Sequence, residues 1–441
     1  MAQSMNQATH IGIGIDCGTS GIRAVALSCD GILLAKSDAP LTEQSPDHWW
    51  QTTLGVLDQL FSQLALIHRL DECQFSMSVD ATSSTLLIVD ALGVPISPVL
   101  MYYDACPEST AHIKHRLAAS SGAHGSQSSL AKVVHLISES NQLNQSLLNT
   151  WMVCHQADWL VFNLSGRLGV SDYNNCLKLG YDPIQQEWEV CTQEVVGKEH
   201  LPEVFEPATP IGHLISTLSS RWQLDNKVLI CTGTTDSIAA FVASGANQAG
   251  DAVVSLGSTL AFKLLSNSPH VNADNGVYSH RLWQQWLVSG ASNAGGLCLS
   301  ERFDLPNLTR LGKDMIKAAP LFTDCYPLPK YRVGERFPIN DQNKRATDLP
   351  EHLSDREVFA CLVYGLVSLE DQSWQLLSSQ CQQPIKRLFA CGGGNKNPAW
   401  TALRKTRLAY SHQTPWSEDA AMGSALIALK GLASITGMQT S

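Results

Sequence analysis

The stretch Ile11 to Leu27, IGIGIDCGTSGIRAVAL, is an apolar run, a Gly-Thr-Ser turn and a second apolar run. It reads as a β-hairpin. A second stretch, Ala252 to Leu265, AVVSLGSTLAFKLL, repeats the plan with Gly-Ser-Thr at the turn. Backbone N–H groups in such a turn can point together at an anion, and the hydroxyls add donors. One such hairpin is a weak signal. Two, in the two halves of one chain, imply a duplicated domain that clasps a polyphosphate in the cleft between its lobes.

The chain has 441 residues, too many for one ordinary hydrophobic core. Apolar residues make up 44% and charged residues 16%, which places it among folded globular proteins. The net charge of −10 comes without a Lys/Arg cluster, so no nucleic-acid partner is expected. The first ten residues, MAQSMNQATH, lack the apolar core of a signal peptide. No apolar run is long enough to span a membrane, so no membrane partner is expected either. Thirteen cysteines without a CxxC pair read as reduced thiols in a cytoplasm. His112 and His115 have no Cys or carboxylate at metal-site spacing and read as a solvated helix face.

Along the chain, Asp30-Gly31 turns into a strand, Ile32 to Lys36. Pro46-Asp47 opens a helix over His48 to Leu66. Gln74 to Val79 is a strand that delivers Asp80-Ala-Thr-Ser-Ser, and Leu86 to Asp90 is another. Ser109 to Leu164 reads as mostly helical, and Ser171 to Gly180 as loop. Val228 to Thr232 is a strand emptying into Gly233-Thr-Thr-Asp236, with a helix from Ser237 to Ser244. A strand lies around Trp286 to Gly290, and Tyr326 to Pro338 is an ordered loop. Leu388 to Cys391 is a strand ending in Gly392-Gly393-Gly394, Pro398 begins a helix, and Glu418 to Gly431 makes the last. The order is α/β. With the duplicated hairpins, it is the pattern of two actin-like (ribonuclease H-like) ATPase lobes, 10–230 and 231–435.

Asp16 sits two residues before the first turn. A carboxylate beside a phosphate grip needs a cation between them, and Mg²⁺ is the usual one. Gly18 supplies close approach, while Thr19 and Ser20 supply donors. Arg23 either steers phosphate or points to solvent. Asp236 ends a strand inside Gly-Thr-Thr-Asp-Ser, where ligands bind in open α/β sheets. It is the candidate group to accept a hydroxyl proton during phosphoryl transfer, and it also suits a helix cap. The Asp80-Ala-Thr-Ser-Ser and Tyr102-Tyr103-Asp104 segments carry polar groups that suit a polyhydroxylated ligand, although Asp104 also suits the cap of a helix beginning near Ser109. The triple glycine lets backbone approach a flat ligand. No GxxxxGK[ST] loop and no HRD or DFG set occurs, which argues against the other two large ATP-using architectures.

IGIDCGTSGIR, SVDATSST, GTTDSIAAF, SLGSTLAFK and GGGNKNPAW stand in the order and spacing found in FGGY carbohydrate kinases, which the chain resembles from about Ile11 to Leu432. A tighter similarity is to the short D-ribulose kinases of cyanobacteria and plants, some with xylulokinase-like names. QADWL, SDYNNCLKLGYDP, GVYSH, GASNAGG and YPLP…GERFP carry it. The resemblance implies that Asp16 places Mg²⁺ and contacts the sugar, with Asp236 as catalytic base and second metal-side carboxylate. Gly18, Thr19 and Ser20 would hold the transferring phosphate, and Gly257, Ser258 and Thr259 the nucleotide phosphates. Gly393, Gly394, Asn397 and Trp400 would form the adenosine pocket. Asp80, Thr82, Ser83 and Asp104 would lie on the sugar side. The chain departs from the family in three places: Ala105-Cys106 stands where an arginine is common, Arg23 where a lysine is usual, and His135 where a tryptophan commonly follows Lys132.

The expectation is an ATP- and Mg²⁺-dependent ketopentose kinase, with D-ribulose as first substrate and D-xylulose as second. The partners are a small sugar and ATP, with a homodimer left open. A catalytically silent sugar sensor is the alternative on the same fold, and the pair Asp16 and Asp236 speaks against it. A protein-binding ATPase is a third, and the sugar-side turns speak against that.

Overall fold

The computed structural model describes residues 9–143, 151–224, 228–313, 320 and 322–437. Residues 144–150, within the stretch read as mostly helical, lie outside the described residues, as do residues 1–8 of the N-terminal reading. The chain forms two units, Met1–Ala243 with Asp419–Ser441, and Ser244–Glu418.

In the first unit the opening hairpin is a strand Thr9–Cys17 paired antiparallel with Gly21–Ser28, and a third strand, Leu33–Pro40, extends the meander. The helix Pro46–Leu64 follows, with Ser45 accepting from the His48 amide and proline at its start. It leads to strand Cys73–Ala81, which lies parallel to the first strand, and Leu229–Cys231 adds parallel on the far side. The second unit repeats this order. Asp251–Leu256 pairs antiparallel with Leu260–Ser266, and that strand pairs antiparallel with Gln285–Ala291. Helix Asp355–Cys381 precedes Arg387–Cys391, which joins parallel to Asp251–Leu256, and Ser411–Gln413 joins next. The duplication read from two turns is therefore a duplication of sheet topology.

Alternation along the first strand explains its two faces. Ile11, Ile13 and Ile15 are fully buried in one core with Val56, Leu57, Leu60 and Leu64 of the first helix. Gly12 and Gly14 face the last helix, Ala420–Thr436. That helix presses Ala421, Ala425 and Leu429 onto the strands beside Val25 and Leu27. A Cβ on Gly14 would overlap the Ala421 carbonyl and the Ala425 amide, and one on Gly423 would overlap the carbonyl of Ala239. The second core holds Val254, Leu256, Phe262 and Leu264 against Leu362, Leu366 and Trp374 of the long helix. Phe262 meets Trp374 edge to face at 5.0 Å.

Three expectations differ from the structure. The boundary read near residue 230 lies at Ala243, and the last helix returns to the first unit. Its packing against the first strand and against helix Asp236–Ala243 is a long-range match that no local pattern announces. The stretch read as mostly helical contains strand Trp151–His155, paired antiparallel with Leu86–Asp90. A five-residue apolar run does not distinguish strand from helix by periodicity. The stretch read as loop, Ser171 to Gly180, is a strand Val170–Asp172, a short helix Tyr173–Cys176 and a 3₁₀ turn. Asp172 caps that helix by accepting from the amides of Asn174 and Asn175, so its polar residues serve a buried cap. All thirteen cysteines are unpaired, and His112 and His115 are exposed. No described helix is long and apolar enough to cross a membrane.

Gly14→Ala is expected to destabilise the chain by ~1–3 kcal/mol, because the last helix has to shift by its backbone. Gly55 is exposed on the first helix with nothing within 4 Å of an added Cβ. Gly55→Ala is expected to stabilise by about 0.5–1 kcal/mol. Urea midpoints that move in the same direction for both variants overturn this account.

Candidate active site

Sheet register assembles the first unit's site. Asp16 lies beside Asp80 in the parallel pair, and Asp80 lies beside Thr234 of the short strand Thr234–Thr235. Asp236 follows at the start of helix Asp236–Ala243 and is close enough for its charge to act on Asp80. Three carboxyl groups thus meet at the carboxyl ends of neighbouring strands, where an open α/β sheet binds ligands. Asp16 is buried, and its Oδ2 accepts from Arg23 Nη1 at 2.8 Å. Burial raises its pKa and the guanidinium opposes the rise. Arg23 is half-exposed and pairs with Asp16 rather than pointing free into solvent. Asp80 is completely buried, and its Oδ2 accepts from Ser424 Oγ of the last helix at 2.5 Å. Burial, then the charge of Asp16, pushes its carboxyl well above the usual range, toward the neutral acid. Asp236 Oδ1 accepts from the adjacent Ser237 amide at 2.6 Å, a bond to the next residue rather than the i+2 or i+3 bond of a helix cap.

The turn of the first hairpin is set by its own backbone and by the segment after the meander. The Gly18 amide donates to Gly21 O, the Leu41 amide to Ser20 O, and Gln44 Nε2 to Thr19 O. Thr19 and Ser20 are exposed, as a phosphate grip requires.

The sugar-side segments form one pinned corner. Hydroxyl to hydroxyl, Thr82 and Thr85 lie 2.6 Å apart, and Thr82 Oγ1 donates to Gln156 Oε1 at 2.8 Å. Gln156 Nε2 reaches Cys17 Sγ, one residue past Asp16, and the Tyr102 amide donates to Thr85 Oγ1. The Thr82 hydroxyl is thus committed to the corner itself. Ser83 is half-buried and its hydroxyl makes no bond to a described residue. Asp104 does not cap the helix that follows: its Oδ2 accepts from the Met101 amide at 2.7 Å and closes its own turn. Asn174 Nδ2 donates to Thr234 Oγ1 at 3.1 Å, tying the Asp172-capped helix to the strand that precedes Asp236. Gln156, Asn174 and Ser424 were not among the residues read as site members. Gln156 and Asn174 lay inside quoted segments, but nothing local marks which polar residue of a segment turns inward.

In the second unit the hairpin turn Gly257 to Thr259 is backed by the segment after strand Gln285–Ala291. Gly257 O accepts from the Gly296 amide and Ser258 O from the Leu297 amide. Gly257, Ser258, Gly393, Gly394, Asn397 and Trp400 share one cavity of about 730 Å³. Thr259 is not in its lining. Asn397 Oδ1 accepts from the Trp400 amide and caps helix Pro398–Arg407. Trp400 is fully buried beneath Gly394, so it is a wall under the glycines rather than an exposed stacking face. The helix is anchored by Arg404, whose Nε and Nη2 donate to Glu370 at 2.7 and 2.8 Å, both residues buried. Leu305, Leu308 and Lys313 complete the opposite side, from a helix Leu305–Gly312 and the residue after it that carried no motif.

Two family models match the chain: the N-terminal domain of the FGGY family of carbohydrate kinases over residues 11–243, and the C-terminal domain over residues 252–438. Among curated proteins, the xylulose kinase of Staphylococcus xylosus is 20% identical over 445 residues, covering 95% of this chain and 90% of its own. The gluconokinase of Bacillus subtilis is 20% identical, covering 95% and 86%. Among solved structures, a "xyloylose kinase" from Brucella ovis superposes with a TM-score of 0.84 at 21% identity, covering 98% of this chain and 92% of its own. The xylulose kinase of Bifidobacterium adolescentis gives 0.79 at 19% identity, covering 99% and 94%. The chain belongs to the FGGY family of carbohydrate kinases.

Proposed function

We propose that the protein transfers the γ-phosphoryl group of ATP to the terminal hydroxyl of a ketopentose, with D-ribulose as first substrate and D-xylulose as second. The observation that carries this reading is the register that delivers Asp236 beside Asp16 and Asp80, next to the pinned corner of Ser83 and Asp104. An acceptor hydroxyl needs a carboxylate to take its proton and a fixed polar wall to hold its neighbours. Asp236 is the base in this reading, and Ser83 is the donor still available to a sugar oxygen. The hydroxyls of Thr19 and Ser20 meet the transferring phosphate. The cavity under Gly393 and Gly394 takes the adenosine, and the Ser258 turn meets its phosphates.

The donor set fits Mg²⁺. That ion prefers oxygen ligands, keeps several waters, and is held by one or two carboxylates together with substrate phosphates. Asp16 and Asp236 are two such carboxylates, and a neutral Asp80 leaves the pair without a third negative charge. When bound, the ion neutralises charge on the phosphate oxygens. Asp16 then balances that cation on one side and the Arg23 guanidinium on the other.

D-ribulose is placed first because the segments around Gln156, Ser171 to Pro183 and Gly276 to His280 resemble those of short ribulose kinases. The xylulose kinases among the relatives named above support the runner-up sugar equally.

A coupled assay of ADP release across pentuloses, hexuloses and polyols tests the reading. D-ribulose is expected above D-xylulose in kcat/KM, with glycerol far below both, since one unpaired buried sugar group costs ~1.4 kcal/mol for each tenfold lost. D-xylulose on top replaces the first substrate by the second, and glycerol on top overturns the pentulose reading.

Asp236→Asn keeps the shape and removes the base. It is expected to lower kcat by ~10²–10⁴-fold while ADP binding stays within a factor of two or so. A folded variant that retains a third of wild-type turnover overturns the assignment.

Ser83→Ala removes the uncommitted hydroxyl and is expected to raise the sugar KM by about tenfold, the range of ~1–3 kcal/mol for an unpaired buried group. The KM for ATP is expected to stay in place. Equal shifts in both constants put Ser83 outside the sugar pocket.

A further inference from the structure

Lys132 lies in helix Ser129–Leu143 and is completely buried. Its ammonium donates to two backbone carbonyls, Ser84 O at 2.8 Å and Met101 O at 2.7 Å. Among the described residues it has no carboxylate within ion-pair distance. Burying an ammonium costs several kcal/mol, and a methionine of similar length fills such a space without that penalty. What the charge holds explains its presence. Ser84 has a left-handed backbone, φ 69°, at the end of the Thr82–Thr85 turn. Met101 opens the turn closed by Asp104, and its carbonyl also accepts from the Asp104 amide. The two segments that carry Ser83 and Asp104 meet at one cationic head.

We propose that Lys132 is the positioning residue of the sugar side, holding the Thr82–Thr85 turn and the Met101–Asp104 turn at one fixed separation so that a ketose meets a preformed wall. The proposal rests on the sugar-kinase reading for its functional consequence, but the clamp itself exists in the sugar-free protein. A two-point grip on carbonyls of different segments is what a long chain with a charged, three-donor head provides. Without it, among the described residues, the Tyr102 amide to Thr85 Oγ1 and the Leu86–Leu100 bridge join the two segments directly. Of the groups facing the ammonium, Asp104 and Cys106 favour its charge, while burial and Lys178 oppose it, and the balance brings its pKa down to about 8. The charged grip is therefore present below about pH 8 and weakens as pH rises through that value.

The test uses the full chain as wild type, Lys132→Met and Lys132→Arg. Steady-state kinetics with D-ribulose, D-xylulose and ATP are run from about pH 7 to about pH 9.5, spanning the lysine's lowered titration. Amide exchange at Tyr102 and Asp104 is measured without sugar. Lys132→Met is expected to raise the sugar KM by about tenfold and leave the ATP KM in place, with the Tyr102 and Asp104 amides exchanging about tenfold faster. Lys132→Arg, which keeps a charge and several donors, is expected to recover part of the loss. The wild-type sugar KM is expected to rise above about pH 8, while that of Lys132→Arg stays level across the range, because arginine does not titrate there. A methionine variant with wild-type sugar KM and unchanged amide exchange overturns the proposal. So do equal shifts in both KM values, which mark a general structural role. Should Lys132→Met fail to fold, a wild-type sugar KM that is flat with pH overturns it. If the wild type phosphorylates no pentulose, the functional reading fails by itself, and the amide exchange decides the clamp: faster in Lys132→Met supports it, unchanged overturns it.

Discussion

One helix seat holds the first unit's chemistry in place. The last helix, Ala420–Thr436, touches all three elements that carry the clustered carboxyl groups. It lies directly on Gly12 and Gly14 of the strand that ends in Asp16. Its Ser424 hydroxyl donates to Asp80 on the neighbouring strand. Its Gly423 meets the carbonyl of Ala239 in the helix that begins with Asp236. Backbone against backbone, such contacts have no side chain that can rotate to absorb a shift, so the spacing of the three groups is set to within what a packed interior allows. Residues more than 400 apart in the chain thereby fix one site.

The electrostatics follow from that seat. Three carboxylates together, unscreened, would repel strongly, and burial would add to the cost. The structure divides them by environment. Asp80 lies deepest, with one hydroxyl donor and like charges beside it, and is driven toward its neutral acid. Asp16 keeps an arginine partner at the rim. Asp236 stands at a helix N-terminus, where the helix dipole and the amide of Ser237 favour negative charge.

How much of this was legible depended on range. The two hairpins could be read because glycine turns between apolar runs are local, and Asp16 and Gly257 came with them, while Asp236 and Gly394 were read from strand ends of their own. The first helix could be read from Ser45, Pro46 and its apolar spacing. Strand Trp151–His155 could not, since its five residues have no period of their own. The buried roles of Gln156 and Ser424 could not either, because their partners lie 74 and 344 positions away. Arg23 had two local readings, and the cross-strand pairing with Asp16 supplied a third. Thr82 and Ser83 are neighbours of similar chemistry, and only the positions of Thr85 and Gln156 show that one hydroxyl is committed and the other is not. Trp400 lines the cavity with Gly393 and Gly394, but its burial beneath Gly394 makes it a wall.

The duplicated sheets carry different residues at equivalent positions. In the first unit the residue before the last of the hairpin's leading strand is Asp16, and its partner on the parallel strand is Asp80. At the same place in the second unit stand Ser255 and Cys391, paired in the same parallel register. The backbone geometry of the grip is shared, and the charge is not. At the same register of the second unit a hydroxyl and a thiol take the place of the two carboxyl groups. Burial keeps the Cys391 thiol protonated, its pKa raised chiefly by desolvation and further by Glu418. The two units thus share the hairpin and its parallel neighbour and differ in charge at two registered positions.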